Sequence, residues 1–287
     1  MYDINVIIYN GLGNQLFMIF AALSYSIDNN FKLNLYSYKD KHVINNFTRN
    51  TSVYWDNFLD GFSNYIIEVN NDNINLPLFK EPLPEFKFNK IPLLNHSFNL
   101  LGLFQSYKYF AHNYDNIIKI MNLDDKQNNI KKEFSYLFNK KTIAIHFRIG
   151  DYKNYPDNHN ILQLSYYKKA FDLLNQKISN IKENYNILYF CEKEDNDYVN
   201  NIINNLNTNN IYNFIKIDDD IPDWKQLLIM SLCDDFIIAN STFSFFGAYF
   251  SKNRNKNIIY PSKWLGEKYK DIDTSDLFPI EWIKVDI

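Results

Sequence analysis

The amino-acid sequence predicts an α/β protein with two domains, and three observations support this. The length of 287 residues exceeds one small core and suits two domains of ordinary size. A β-branched segment at residues 4–9 ends in a glycine turn and is followed by helical apolar spacing. After residue 140, apolar strands alternate with helices, which is typical of a doubly wound parallel sheet.

The first predicted domain covers residues 1–140. It begins with the strand at residues 4–9 and a helix at residues 14–26, whose apolar face contains Leu16, Ile19, Phe20 and Leu23. Further short strands are predicted at 32–36, 65–69 and 98–104, and a polar helix is predicted through 130–138. Residues 31–92 are otherwise irregular and contain a proline cluster (Pro77, Pro82, Pro84 and Pro92).

The second predicted domain covers residues 141–287. Its strands are predicted at 142–147, 185–190, 211–217 and 235–239, and its helices at 165–180, 195–206 and 222–233. The first strand is continuously apolar, as in a parallel sheet buried on both faces. Ligands of such sheets bind outside the carboxyl ends of the strands, where His146, Asn240 and the loop after Tyr9 are expected.

Composition excludes several functional classes. A formal net charge of -3 and a pI near 6.0 argue against a broad nucleic-acid surface. Cys191 and Cys233 lie in apolar segments and are interpreted as buried free thiols of a reducing compartment. The N-terminus lacks a basic segment, and no apolar stretch approaches the roughly 20 residues of a membrane span, so a cytoplasmic protein without a transmembrane segment is expected.

Three segments can carry chemistry. The first is Gly11-Leu-Gly13-Asn14-Gln15, where two glycines between a strand and a helix permit positive φ and close approach of a ligand to the backbone. A plain strand-to-helix turn is the alternative interpretation.

The second segment is His146-Phe-Arg-Ile-Gly-Asp151, at the exit of the first strand of the second domain. Guanidinium is planar, always charged and bidentate, so Arg148 suits a phosphate, while Gly150 lets the chain turn sharply. The alternative is a structural ion pair of Arg148 with Asp151.

The third segment is Asn240-Ser-Thr-Phe-Ser-Phe-Phe-Gly247, directly after an apolar strand and opening a helix. Its hydroxyls and backbone amides can bind an anion at the helix N-terminus, or they can simply cap that helix. Metal-site patterns are absent: the five histidines lack ligand spacing, and Asp218-Asp-Asp220 is interpreted as a solvated loop.

Taken in order, the three segments resemble the α-1,2-fucosyltransferases of glycosyltransferase family 11. The family pattern is Gly-x-Gly-Asn-Gln, then His-x-Arg-x-Gly-Asp, then Asn-Ser-Ser/Thr-Phe-Ser-Trp-Trp-Gly, and the match spans nearly the whole chain. The chain departs from it at Phe245-Phe246, where a Trp pair is usual, and at Ile149, where a second Arg is frequent.

The resemblance implies a GT-B-like α/β fold, in which two Rossmann-like lobes have a donor cleft between them. It also implies an inverting transferase that needs no metal or other cofactor and moves L-fucose from GDP-L-fucose to a hydroxyl of a glycan or oligosaccharide acceptor, expected to be O2 of a galactose-type residue. The loops at residues 31–92 would then lie on the acceptor side.

The resemblance also suggests roles for individual residues. Arg148 is expected to bind the β-phosphate, and His146 the guanine or ribose side; Asp223 is a weaker candidate for guanine recognition. Other expected donor contacts are Gly13, Asn14 and Gln15 in the first lobe, with Asn14 reaching across the cleft, and Asn240, Ser241, Thr242 and Ser244 in the second. The base that accepts the acceptor proton is not identified: Asp151, Asp157 and His159 are candidates, and transfer without a dedicated base is also open.

Two other functions remain open on the sequence. The same anion site would serve a hydrolase or a transferase that uses another GDP-sugar such as GDP-mannose. The missing Trp pair also leaves open a catalytically inactive module that binds glycans or nucleotides.

Overall fold

The computed structural model describes residues 1–36, 54–67, 75–83 and 85–287. The chain forms two compact units, one of Met1–Lys126 with Ile272–Pro279 and one of Gln127–Asp271 with Ile280–Ile287. Each unit contains one parallel sheet with helices, so the prediction of two parallel-sheet α/β lobes is confirmed. The division predicted between residues 140 and 141 differs from these bounds, because residues 127–140 belong to the second unit and residues 272–279 to the first.

The sheet of the first unit has five parallel strands in the order β3-β2-β1-β5-β4. These strands are β1 (Asp3–Ile7), β2 (Lys32–Tyr36), β3 (Ile66–Ile67), β4 (Leu78–Lys80) and β5 (Phe98–Leu101). Residues 68 and 69 of the strand predicted at 65–69 lie outside the described residues, as do residues 37–53, residues 70–74 and Pro84 of the irregular region predicted at 31–92.

Helix α1 (Leu12–Asn29) follows β1 and is buried along most of its length. Leu16, Phe17, Ile19 and Phe20 have no exposed surface. The helix ends because Asn30 adopts the left-handed conformation with φ 55°, which asparagine tolerates better than most residues. Helix α2 (Tyr114–Ile120) belongs to the same unit, and α3 (Leu123–Glu133) crosses its boundary.

The polar helix predicted through residues 130–138 is divided in the structure. Helix α3 stops at Glu133, and residues Ser135–Phe138 form a short 3₁₀ helix that leads to the second sheet. Buried Leu137 accounts for the apolar signal at the end of the predicted helix.

The sheet of the second unit has six parallel strands in the order β11-β10-β9-β6-β7-β8. These strands are β6 (Lys141–His146), β7 (Tyr185–Phe190), β8 (Asn213–Lys216), β9 (Asp235–Ile237), β10 (Ile258–Pro261) and β11 (Ile283–Val285). The helices between them are α4 (Leu164–Lys177), α5 (Ile181–Asn184), α6 (Asn196–Leu206), α7 (Asp223–Ser231) and α8 (Thr242–Tyr249).

Strand β6 lies at the centre of the second sheet, between β7 and β9. Its Ile143 and Ile145 have no exposed surface, as the continuous apolar sequence predicts. Because the strands are parallel, the segments that leave β6, β7 and β9 emerge at the same edge of the sheet. Two tyrosines of α4 also bond to this edge, with Tyr167 Oη donating to His146 O at 3.2 Å and Tyr166 Oη to Ile238 O at 2.6 Å.

Two sequence-based expectations about the whole chain can be compared with the described residues. Cys191 and Cys233 are both buried and free, as predicted. No helix in the described part of the chain has the length and apolar character needed to span a membrane.

Candidate active site

The candidate active site lies at the carboxyl edge of the second sheet and consists of three segments. Residues 146–152 follow β6, residues 192–195 follow β7, and residues 240–244 follow β9. The sequence predicted the first and third of these segments. The second was missed.

Arg148 is held between two carboxylates. Its Nη1 donates to Glu192 Oε1 and its Nη2 donates to Asp151 Oδ1. The side chain retains 23% of its exposure, so the guanidinium is partly open to solvent. The pairing with Asp151 that the sequence offered as a structural alternative is therefore present, and Glu192 adds a second partner from the neighbouring strand.

Tyr152 supports the guanidinium from one face. The Arg148 Cζ atom lies 4.8 Å from the centre of the Tyr152 ring, a cation–π distance. The tyrosine is itself fixed, since its Oη donates to Asn240 O at 3.0 Å and its ring stacks on His159 at 4.1 Å. Burial lowers the pKa of Arg148, but Tyr152, Glu192 and Asp151 outweigh this effect, and the net shift is upward.

Gly150 allows the loop to pass close to the β7 segment. Its φ is +29°, and a Cβ atom at this position would lie 2.7 Å from Glu192 Cδ. Gly150 N donates to Asp195 Oδ2 at 2.7 Å, and Asp195 Oδ1 also accepts from Lys153. The Asp195 side chain has no exposed surface. This buried carboxylate therefore anchors the loop that carries Arg148.

His146 is buried, with 7% of its surface exposed. Burial and the nearby charge of Arg148 lower its pKa to about 3, so the imidazole is neutral at physiological pH. Its Nδ1 has no hydrogen-bond partner among the described residues. The ring lies 5.5 Å from that of Phe243, in the first turn of α8, so it is positioned beside the third segment.

In the third segment, side chains cap helix α8 and bond backbone carbonyl oxygens nearby. Ser241 caps α8, since its Oγ accepts from Phe243 N at 3.3 Å. Ser244 Oγ donates to Ala239 O and to Ser241 O, at 3.2 and 3.1 Å. Asn240 Nδ2 donates to Asn160 O at 2.8 Å and to Trp264 O at 3.0 Å. Helix capping, the alternative interpretation, thus accounts for these bonds of Ser241, whereas Thr242 lies half-buried at the first helical residue.

Asp157 and Asp223, two further residues predicted for the site, are both exposed and lie outside the three segments. Asp157 is exposed in the loop between β6 and α4, where its backbone carbonyl accepts from Lys268 N at 3.0 Å. Asp223 is exposed at the first residue of α7, and its Oδ1 accepts from Trp224 N at 2.8 Å.

In the first unit, Gly13, Asn14 and Gln15 lie in the first turn of α1, which starts at Leu12, two residues before the predicted start at Asn14. The two glycines of this turn permit positive φ but do not adopt it; Gly11, for example, has φ -68°. Asn10 takes the left-handed conformation with φ 63°, and the positive-φ glycines of the described chain are Gly102 and Gly150. An asparagine can adopt this conformation because its short polar side chain tolerates it.

Neutral amides hold this turn. Gln15 Nε2 donates to Asn10 O at 2.8 Å, and Gln105 Nε2, from the segment after β5, donates to Asn14 Oδ1 at 2.7 Å. Gln15 is buried, whereas Asn14 is half-exposed. The bond from Gln105 therefore fixes the side chain of Asn14.

The described residues contain one group of carboxylates spaced for a metal ion. Glu192, Glu194 and Asp195 each place an oxygen within 4.8 Å of the others. Two of the three already have cationic partners, since Glu192 pairs with Arg148 and Asp195 with Lys153. The group therefore serves as the counter-charge of the loop.

Comparison with known proteins shows which family the chain belongs to. The family model described as glycosyl transferase family 11 matches residues 79–286, which include the sequence motifs at residues 146–151 and 240–247. The chain belongs to this family. It is therefore a glycosyltransferase, and the membership expected from the three segments is confirmed.

Two curated relatives come from Escherichia coli. The O-antigen biosynthesis glycosyltransferase WbnK is 24% identical over 96% of this chain and 98% of its own length. An α-1,2-colitosyltransferase is 24% identical over 96% of each chain. Both alignments extend over nearly the full length of the two proteins.

Among solved structures, ADP-heptose LPS heptosyltransferase II of Escherichia coli is similar in fold. The match has a TM-score of 0.50 and 12% identity, and it covers 99% of this chain and 90% of that one. The fold class is GT-B-like, with two parallel-sheet α/β lobes, as the resemblance implied.

Proposed function

We propose that this glycosyltransferase moves L-fucose from GDP-L-fucose to a glycan hydroxyl, the O2 of a galactose-type residue, with inversion and without a metal. The observation that supports the proposal best is the position of Arg148. This residue stands at the carboxyl end of the central strand, braced from two sides and over an aromatic ring. The α-1,2 linkage in the name of one relative supports the same linkage here.

The reaction needs a group that stabilises the leaving phosphate. The acceptor oxygen forms a bond to C1 of the sugar while the bond from C1 to the β-phosphate oxygen breaks, and GDP leaves with the electron pair. Arg148 provides a fixed positive charge for the developing negative charge, which is most effective when it is oriented in advance. A guanidinium carries five N–H donors, so one that already bonds two carboxylates can still donate to a phosphate oxygen.

The neighbouring groups suit the rest of the nucleotide. His146 is a neutral imidazole with an unpartnered Nδ1, which fits a hydrogen bond to the ribose or guanine. In the first turn of α8, the backbone amides and Thr242 are the proposed phosphate donors, because the Ser244 hydroxyl donates to the carbonyl oxygens of Ala239 and Ser241. Ser241 and Asn240 then act by shaping that turn, and Asp223 remains the proposed guanine acceptor. In the first unit, the turn of Gly13, Asn14 and Gln15 is proposed as a separate donor contact.

The acceptor proton must go to a base or to solvent. Asp151 is bonded to Arg148 and is therefore proposed as a positioning partner rather than as the base. Asp157 is exposed, and we propose it as the base. An Asp157→Asn variant tests this role. We expect this variant to lower kcat while leaving the KM for the donor unchanged, and an unchanged kcat would remove Asp157 from the mechanism.

The decisive experiment compares donors in the presence of EDTA. Purified protein is incubated with GDP-fucose, GDP-mannose or a colitosyl donor and with lactose, a galactose-terminated acceptor, and the product is analysed by mass spectrometry and by NMR. Formation of an α-1,2-fucoside in EDTA supports the proposal.

The other outcomes are equally informative. Transfer only from the colitosyl donor would make the chain a colitosyltransferase, the second candidate that its relative favours. GDP release without a glycoside product would indicate a hydrolase. Dependence of transfer on added Mn²⁺ or Mg²⁺ would overturn the metal-free part of the proposal.

A further inference from the structure

Glu81 is a buried carboxyl in the first unit, outside the three segments. It follows β4 directly, next to β5 at the carboxyl edge of the first sheet, where Glu81 N donates to Leu101 O at 2.8 Å. Only 5% of its surface is exposed. Glutamate is among the residues least often buried in this way, so the position requires an explanation.

The carboxyl binds the backbone of the turn after β5. Glu81 Oε2 accepts from Leu103 N and from Phe104 N, both at 2.8 Å. Gly102 makes this approach possible, since a Cβ atom there would lie 2.6 Å from Oε2 and its φ is +157°. Phe104 is buried with φ 50°, a conformation that bulky residues adopt rarely. The carboxyl thus stabilises a turn that would be costly on its own.

The turn after β5 positions Gln105 beside Asn14, at the start of α1. Gln105 is 6% exposed, and its Nε2 donates to Asn14 Oδ1 at 2.7 Å. A continuous series of contacts therefore runs from Glu81 through the backbone of residues 103–104 and the Gln105 side chain to Asn14. Its last member is a proposed donor contact.

We propose that Glu81 is a positioning residue, which holds the turn at residues 102–105 so that Gln105 fixes the Asn14 side chain that is proposed to contact the nucleotide sugar. This inference rests on the proposed function only in that Asn14 contacts the donor. It assigns a role to a residue that is separated from Asn14 by two hydrogen-bonded contacts and does not itself touch the substrate.

A carboxyl at this position carries a cost in stability. Burial raises the pKa of Glu81 to about 7; the bonds from Phe104 and Leu103 lower it, and the charge of Glu85 raises it. Tyr109 is the other titratable group that interacts with Glu81. Oε1 has no hydrogen-bond partner among the described residues. A glutamine would avoid the cost of ionisation, so the carboxyl is best explained by the stronger, charge-assisted bonds that it makes to the turn.

The test is therefore a variant that should gain stability while losing donor binding. Glu81→Gln keeps the shape and one oxygen acceptor but cannot ionise. At pH 8 we expect a higher midpoint of unfolding than in the wild type and a Kd for GDP-fucose that is raised about 3-fold, because a neutral acceptor holds the turn less firmly. A role confined to folding would raise the midpoint and leave the Kd unchanged, which would overturn the proposal.

A double-mutant cycle tests whether Glu81 acts through Gln105. Gln105→Ala alone should raise the Kd about 5-fold, the loss of one hydrogen bond. Adding Glu81→Gln to it should raise the Kd no further, whereas independent effects would multiply to about 15-fold and would contradict the proposal.

Asp235→Asn is the matched control. Asp235 is also a buried carboxyl with a raised pKa, caused first by burial, and it accepts from a backbone N–H, that of Asn257 at 2.8 Å. It lies at the amino end of β9, however, so its replacement should change stability and leave the Kd unchanged. Wild-type protein that does not bind GDP-fucose would refute the proposed function itself, whereas wild-type binding with an unaffected Glu81→Gln variant would refute only this inference.

Discussion

The loop that carries Arg148 and the turn that carries Asn14 are held in place by different forces. Around Arg148, ion pairs with Glu192 and Asp151 and the buried Asp195 carboxylate fix the chain. Around Asn14, the bonds are between neutral amides and carbonyls. Contacts between charged groups weaken as the salt concentration rises, whereas hydrogen bonds between neutral amides are much less affected. The two proposed donor contacts should therefore differ in how solution conditions affect them.

The largest effect is expected from removing the charge at the centre of the first of these regions. Arg148→Ala should lower kcat roughly 1000-fold, because it removes the pre-oriented positive charge that is proposed to stabilise the leaving phosphate. Steady-state kinetics with GDP-fucose measure this loss. Arg148→Lys is the control: it retains the charge without the bidentate geometry and should lose less. Equal activity of the alanine variant and the wild type would remove Arg148 from the chemistry.

The next largest effect concerns Glu81, the buried carboxyl that supports the Asn14 turn through Gln105. The folded-state pKa of Glu81 is raised above its ordinary value of 4.5 to about 7, so folding favours the protonated form. The contribution of protonated Glu81 to the free energy of unfolding is therefore fully present below pH 4.5, and it is lost as the pH rises through 7. The expected loss is up to about 3 kcal/mol, since one pKa unit corresponds to about 1.4 kcal/mol.

Denaturant unfolding at pH values from 4.5 to 8 measures this change, with Glu81→Gln as reference. The difference between the two proteins should grow through that window and stay constant above it. Parallel pH profiles for the two proteins would show that Glu81 does not titrate as described.

A smaller effect should follow from loosening the anchor of the Arg148 loop. Asp195→Asn retains an acceptor for Gly150 N but loses the charge that pairs with Lys153. We expect the free energy of unfolding to drop by about 2 kcal/mol. We also expect the KM for the donor to rise, because Arg148 is less well oriented. Lys153→Met removes the same ion pair from its exposed end and should cost less. A donor KM that stays at the wild-type value in Asp195→Asn would separate the anchor from binding.

The smallest expected effect, that of Glu192→Gln on GDP binding, tests the difference between the Arg148 loop and the Asn14 turn most directly. Glu192→Gln removes one of the two carboxylates that compete with a phosphate for Arg148, so GDP should bind about 3-fold more tightly at low ionic strength. The gain should shrink toward 1 M NaCl. The effect of Gln105→Ala should, by contrast, be the same at both salt concentrations. Isothermal titration calorimetry with GDP distinguishes the two patterns, and salt-independent behaviour of both variants would contradict the charged-versus-neutral distinction.

Local sequence patterns located two strands with their exact bounds. The bounds of β7 and β2 agree with the predicted ones, because a buried strand and its polar flanks are both visible in the sequence. Helix α1 extends beyond its prediction at both ends, to Leu12 and Asn29. Polar residues in its last turn carry no apolar periodicity, so the end could not be located from the pattern.

The contacts around the site were only partly predictable. Arg148 and Asp151 are three residues apart, and this pairing was anticipated. Glu192 and Asp195 lie 44 and 45 positions from their partners, and Glu81 lies 22 and 23 from the amides it binds. Such partners become visible only once strand order is known. The acidic sequence directly after β7 was the one local signal for Glu192 and Asp195, since it falls at the edge where ligands of parallel sheets bind.

The two carboxylates around Arg148 also bear on which anions can occupy the site in a cell. One positive charge faced by two negative ones offers little net attraction to chloride or orthophosphate, which could gain only a single contact. A nucleotide diphosphate can add contacts from its base and ribose along the same sheet edge and so offset the repulsion. The ion pairs of Glu192 and Asp151 are therefore expected to favour a nucleoside diphosphate over small anions such as chloride and orthophosphate.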